Sequence, residues 1–147
     1  MTMKKIFMML VAVMSLSAIS CAADDRPVKF DQLPKAARNF ITENFAGVQI
    51  TYAVKDDDII SPDYEVVLSN GVKISFEHDG TMDKIESREP GVVDAFVPAK
   101  IKEYVKVHYP DAYFVEYELG RNLYEVQLSN RLELKFSKDF NLVAIDD

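Results

Sequence analysis

The chain has 147 residues, with 17 Lys and Arg against 24 Asp and Glu, two His, one Cys and no Trp. A net charge of −7 excludes the cationic footprint that a nucleic-acid binder needs, and a single cysteine excludes an internal disulfide or a thiolate zinc site. With 48% hydrophobic residues the chain can bury the core of one domain, or of two half-size units that share one.

Lys4 and Lys5 precede an uncharged apolar run from Ile6 to Ile19, the pattern of an export signal over residues 1–23. The run is too short to span a membrane comfortably. Two cleavage positions fit. Ala18-Ile19-Ser20-Cys21 resembles a lipobox, in which Cys21 is lipidated and becomes the N-terminus. Cleavage after Ala23 instead leaves Asp24-Asp25 in front. Either event removes Lys4 and Lys5 and no acid, moving the net charge from −7 to −9. The expected product is an exported acidic protein of the periplasm or cell envelope, with membrane contact only through a lipid on Cys21.

After the leader, Leu33, Ala37, Phe40, Ile41 and Phe45 recur at spacings of three and four, which predicts a helix with one apolar stripe. Asp31 is the expected N-cap, Pro34 sits in the first turn, and Gly47 stops the helix. The period then changes to two. Ile50, Tyr52 and Val54 alternate with Thr51 and Ala53, and a loop from Lys55 to Pro62 follows. Tyr64/Val66/Leu68, Val72/Ile74/Phe76 and Met82/Ile85 give three more strands, with hairpin turns at Asn70-Gly71 and Asp79-Gly80. A packed connection, Glu86 to Ala95, leads to a second helix carrying Val97, Ile101, Tyr104, Val105 and Tyr109. Its expected N-cap is Asp94, with Pro98 in the first turn and Pro110 as the stop. Strands at Val115/Tyr117/Leu119, Tyr124/Val126/Leu128, Leu132/Leu134/Phe136 and Leu142/Ile145 complete the chain. The later turns, Asn130-Arg131 and Asp139-Phe140, lack glycine. A side chain at positive φ costs about 1 kcal/mol, which predicts a different turn geometry there.

The two sets are related. Tyr64-Glu65-Val66-Val67-Leu68-Ser69-Asn70 and Tyr124-Glu125-Val126-Gln127-Leu128-Ser129-Asn130 match at six of seven positions, sixty residues apart. The register continues through Ile74/Leu134, Phe76/Phe136, Asp79/Asp139, Met82/Leu142 and Ile85/Ile145. The expected fold is therefore α+β, a tandem repeat of helix plus four antiparallel strands over residues 24–87 and 88–147. The strands would form one extended antiparallel sheet with both helices on one face.

The Leu33-Pro34-Lys35-Ala36-Ala37 helix start, the tyrosine-led second strand and the tandem arrangement resemble the PepSY-like periplasmic proteins over about residues 26 to 147. The resemblance implies a fold similar to that of the beta-lactamase-inhibitor protein. It also implies a role as an exported binding module, with inhibition of an envelope enzyme as one form of that role, and brings no catalytic residues with it.

No nucleophile elbow, phosphate loop, zincin helix or CxxC motif appears. His78 adjoins a turn, and His108 lies near a helix C-terminus, where the dipole favours a cation. Asp56-Asp57-Asp58 lacks the alternation of a calcium loop and reads as a solvated loop. Glu65 and Glu125 occupy equivalent positions, whereas an acid/base pair needs unequal environments. The reading is accordingly no enzyme, no catalytic residue, no metal site and no cofactor.

The open sheet face is the candidate surface. Alternation assigns it Thr51, Ala53, Glu65, Val67, Ser69, Lys73, Ser75 and Glu77 from the first set. Glu116, Glu118, Glu125, Gln127, Ser129, Glu133 and Lys135 come from the second. Such a face is either solvated, with cross-strand charge pairs, or an acidic platform for an envelope protein or peptide. The binding candidates are Glu65, Val67, Lys73, Glu77, Glu116, Glu118, Glu125, Gln127, Glu133 and Lys135. Capture of a small ligand or peptide is the alternative, and a carboxylate-dependent hydrolase the rival from another class.

Overall fold

The computed structural model describes residues 25–56 and 63–147. The export signal, Cys21 and the Asp57-Asp58 part of the acidic triplet lie outside the described residues. One antiparallel sheet of nine strands runs through the chain in sequence order. Its strands are β1 (Asp25–Pro27), β2 (Ile50–Asp56), β3 (Tyr64–Leu68), β4 (Lys73–Phe76), β5 (Met82–Glu86), β6 (Phe114–Leu119), β7 (Leu123–Leu128), β8 (Glu133–Ser137) and β9 (Leu142–Asp146). Helix α1 (Lys35–Asn44) precedes β2, and α2 (Ala99–His108) precedes β6. The element order is thus helix and four strands, twice, with β1 added in front. Alternation did not announce β1, which has only three residues and contains Pro27.

The period of two decides the layers. Val66, Leu68, Ile74, Phe76, Ile85, Tyr117, Val126, Leu128, Leu134 and Phe136 all turn to one side and are buried. Ala37 and Ile41 of α1, with Ile101 and Val105 of α2, belong to the same core. Phe40 meets Phe76 edge-on at 5.7 Å, and Tyr104 meets Phe136 at 5.4 Å in the same way. Both helices therefore pack on one face. Each fully buried Leu, Ile or Phe stabilises by about 1.5–3 kcal/mol.

Four expectations need correction. Pro34 and Pro98 are themselves the N-caps, and their carbonyls accept from the Arg38 and Lys102 amides at 3.0 and 3.1 Å. Asp31 and Asp94 fall in the 3-10 turns Phe30–Gln32 and Val93–Phe96. The residue before a proline is driven out of the α region, so neither helix can start earlier. Secondly, Ala53 is buried at 4% exposure while Tyr52 is 48% exposed, the reverse of the assigned faces. A bulge between Ile50 and Tyr52 shifts the strand parity there.

Thirdly, the later turns keep the geometry of the earlier ones. Gly71 and Gly80 have φ of 86° and 87°, and Arg131 and Phe140 adopt 74° and 66°. Asn70 and Asn130 each accept a hydrogen bond through Oδ1 from the amide two residues on, at 3.2 and 3.1 Å. That local bond fixes the turn with or without glycine. Phe140 recovers part of its backbone cost by stacking on Tyr124 at 5.3 Å. Gly80 admits no side chain, because a Cβ would lie 2.8 Å from the Ala37 amide nitrogen and the Pro34 Cβ. Lastly, Ile85 is 0% exposed but Ile145, at the matching register opposite Leu134, is 47% exposed. The cause is position: β6 flanks β5, whereas β9 is an edge of the sheet formed by the described residues.

The turns yield a stability test. Arg131→Gly should stabilise by about 0.5–1 kcal/mol, since backbone strain is relieved and the exposed side chain packs little. Phe140→Gly should destabilise through loss of the Tyr124 stack, and Gly80→Ala should cost roughly 2–4 kcal/mol from strain plus backbone clash. Urea unfolding midpoints of the three variants would check the signs.

Candidate functional site: two charged rows on the open sheet face

On the face away from the helices, in-register pairing aligns residues into rows across the strands. One row runs Tyr52, Val67, Lys73, Glu86, Glu116, Gln127, Glu133, Asp146 from β2 to β9. The adjacent row runs Val54, Glu65, Ser75, Lys84, Glu118, Glu125, Lys135, Ala144. Nine of the ten residues expected from sequence fall in these rows. The tenth, Glu77, lies just beyond β4 and is exposed.

Lysines stitch parts of the rows together. Lys73 reaches Glu65 at 3.5 Å and Glu86 at 3.6 Å, and Lys84 reaches Glu86 at 3.5 Å and Glu116 at 3.1 Å. Lys135 pairs with Glu133 at 3.7 Å and Asp146 at 3.3 Å. Partial burial pulls the Lys73 and Lys84 ammonium groups down, but their carboxylate neighbours outweigh it and raise both. Glu86 and Glu116 face each other across β5 and β6. Burial pushes both carboxyls up. A hydrogen bond with Glu116 and the charges of Lys84 and Lys73 pull Glu86 below its ordinary value, while Glu116 stays raised.

Between these stitched parts the face is acidic. Glu118 and Glu125 are directly opposite on β6 and β7, and neither forms a close ion pair among the described residues. Like charges opposite one another destabilise a sheet. Beside them, Asp83 sits at the bulge of β5. Burial first, then the charges of Glu118, Asp63 and Glu77, push its carboxyl up to about 6.

A cleft of 1040 Å³ opens where β5 and β6 meet. Its lining includes Glu86, Glu116 and Gln127 together with Arg88, Tyr113, Arg131 and Asp147. Glu65 and Glu125, by contrast, lie four strands apart, about 19 Å at ~4.8 Å per strand, far beyond the spacing of a glycosidase pair. Among the described residues no three His, Cys, Asp or Glu side chains group to hold a metal ion. His108 packs against Tyr104 at 4.2 Å between ring centres.

Sequence reasoning missed Asp83, Lys84, Glu86 and Asp146. The signal was present in the first strand set: Met82 and Ile85 both face the core yet are three residues apart, a spacing that only a bulge reconciles with a period of two.

Asp83 gives this face a pH signature. Its folded pKa is raised, so the stability tied to its neutral form is complete below 3.8 and is lost as pH rises through about 6. Asp83→Asn should therefore stabilise the protein at about pH 7, by ~1 kcal/mol or less after solvent screening, and give no gain at about pH 3.5. Urea titrations of both proteins at the two pH values would check this.

A family model described as "Putative beta-lactamase-inhibitor-like, PepSY-like" matches residues 62–144. No curated protein matches the chain. Among solved structures, one from Bacteroides thetaiotaomicron, described as a "putative calcium-regulated periplasmic protein", is 38% identical with a TM-score of 0.78, covering 84% of this chain and 98% of its own. Two structures from Bacteroides vulgatus, each described as a "putative periplasmic protein" and 36% and 28% identical, also superpose with a TM-score of 0.78 and cover 86% and 84% of this chain and 99% of their own. With a family model matching more than half of its length and a 38% identical structure of the same fold, the chain belongs to the PepSY-like family.

Proposed function

We propose that this protein is an exported, non-enzymatic binding module that takes a cationic segment of an envelope protein or peptide on its open sheet face. The observation that carries the reading is the Glu118–Glu125 pair at the centre of the rows, with Asp83 beside it. A face selected only for solubility gains nothing from opposing two carboxylates across a strand pair. A cationic partner would relieve that repulsion and be steered to it by the field. The reading rests on charge carried by the face itself and not on a bound ion. The leader over residues 1–23 and the periplasmic character of the similar structures support export, and a lipid on Cys21 would hold the module at a membrane surface. We read residues 24–87 and 88–147 as duplicated units, on the matched helix-and-strand order and the matched bulges in β5 and β9.

A second reading has its own observation. The cleft between β5 and β6 brings Arg88 and Arg131 near Glu86 and Glu116, a mixed lining suited to a small zwitterion or peptide end.

Affinity capture from envelope extract separates the two. Residues 24–147 and a Glu118→Lys/Glu125→Lys variant would serve as baits, at low and moderate salt. A partner held by the first, released by salt and lost by the second supports the face. Retention by both baits overturns it and directs attention to the cleft.

A further inference from the structure

The sheet has two edges, and they differ. β1 has three residues and includes Pro27, which has no amide hydrogen to donate. β9 has five residues, and among the described residues no strand lies on its outer side. Its register on β8 reproduces that of β5 on β4, down to the bulge: Lys73↔Glu86, Ile74↔Ile85 and Ser75↔Lys84 correspond to Glu133↔Asp146, Leu134↔Ile145 and Lys135↔Ala144. What covers β5 therefore shows what would fit β9. On β5 the cover is β6, which sets Glu116, Tyr117 and Glu118 opposite Glu86, Ile85 and Lys84. Tyr117 and Ile85 are buried together, and Lys84 reaches Glu116 at 3.1 Å.

β9 keeps the apolar half of this arrangement and loses the cation. Ile145 stands 47% exposed where Ile85 is fully covered. Ala144 replaces Lys84, the cation that accommodates an acidic strand, while Asp146 and Asp147 keep the negative end. A strand like this chain's own β6 would meet Asp146 with Glu116; Lys135, 3.3 Å from Asp146, is already shared with Glu133, and β9 itself offers no lysine in the place of Lys84. The acidic end, on a chain of net charge −7, also opposes pairing with a second copy.

We propose that the β9 edge is a strand-addition site for an extended cationic segment of another polypeptide. The segment runs antiparallel to β9, with an aromatic or aliphatic residue opposite Ile145 and Lys or Arg opposite Asp146. Main-chain hydrogen bonds supply the attachment, and the alternating side chains supply the selection. This goes beyond the open-face reading and stands apart from it, because edge and face are mapped by different amides.

The test uses the full chain as the cell processes it, isotopically labelled, and a short peptide alternating Lys with Tyr and Val. A second peptide has Glu in place of each Lys. The expected result is that amides of residues 142–146 shift and gain protection from exchange with the Lys peptide, which binds roughly tenfold more tightly than the Glu peptide. Ile145→Lys should abolish binding. Ala144→Lys, which restores the cation found at Lys84, should move the preference toward the Glu peptide. Both substitutions are at the edge, and unchanged spectra elsewhere would show that the fold persists. Shifts centred on Glu118 and Glu125 with β9 silent would overturn the edge site while supporting the face. Protection of β9 in the peptide-free protein, with sedimentation as a dimer, would overturn it in favour of a second copy.

Discussion

The pairing of β5 with β6 is the constraint on which the rest of the molecule depends. Three cross-strand pairs, Lys84↔Glu118, Ile85↔Tyr117 and Glu86↔Glu116, join what would otherwise be two small sheets. A unit of some 55 residues buries too little surface to be secure alone. Joined, the two sets share one core, in which Ile85 and Tyr117 are covered at the seam itself. The same three pairs set the register of everything beyond them. A slip of one residue would send Glu116 and Glu118 into the core and Tyr117 into water. Burial of one face thus enforces the alignment of charge on the other, and the two rows are a by-product of the core.

That alignment places electrostatic cost at a chosen position. Lys73, Lys84 and Lys135 neutralise the flanks of the face, where ion pairs at partly exposed sites contribute little beyond local order. At the centre Lys84 stands opposite Glu118 and Lys135 opposite Glu125, but both lysines close their ion pairs with other carboxylates. The central carboxylates are held by a sheet whose stability comes from the opposite side, so the strain of like charges is tolerated without loss of fold. Relief of that arrangement is what the proposed cationic partner would supply.

Most of the architecture was legible in the sequence because it rests on periodicity. Within β3 and β4, and again within β7 and β8, apolar residues recur at every second position, and their faces are as alternation requires. Reading failed where the backbone departs from the ideal. Bulges in β2 and β5 displaced Ala53, Tyr52, Asp83 and Lys84 from the parity rule. The proline caps misled because a side-chain cap was sought where a proline carbonyl begins the helix. The turns at Arg131 and Phe140 kept their shape because an Asx bond and an aromatic stack, neither visible as a spacing, compensate for glycine. Ile145 lies at the register of Ile85, and only the order of strands reveals that β9 is an edge of the described sheet. The charged rows lay within reach of the alternation rule, but which carboxylates would meet depended on register, a tertiary quantity.

The strictly sequential strand order bears on how the chain acquires its structure. Among the described residues every strand neighbours its immediate predecessor, with no crossover. Most pairings close over a short turn, and the loop-closure entropy to be overcome is correspondingly small. Such a sheet has low contact order for a β structure and can assemble as successive hairpins. The exception within the second set is β6 against β5, whose connection must also form α2 and bring it down onto the core. Assembly is therefore expected to divide at the seam, with β2–β5 and β6–β9 forming early and the docking of α2 governing when the two become one sheet.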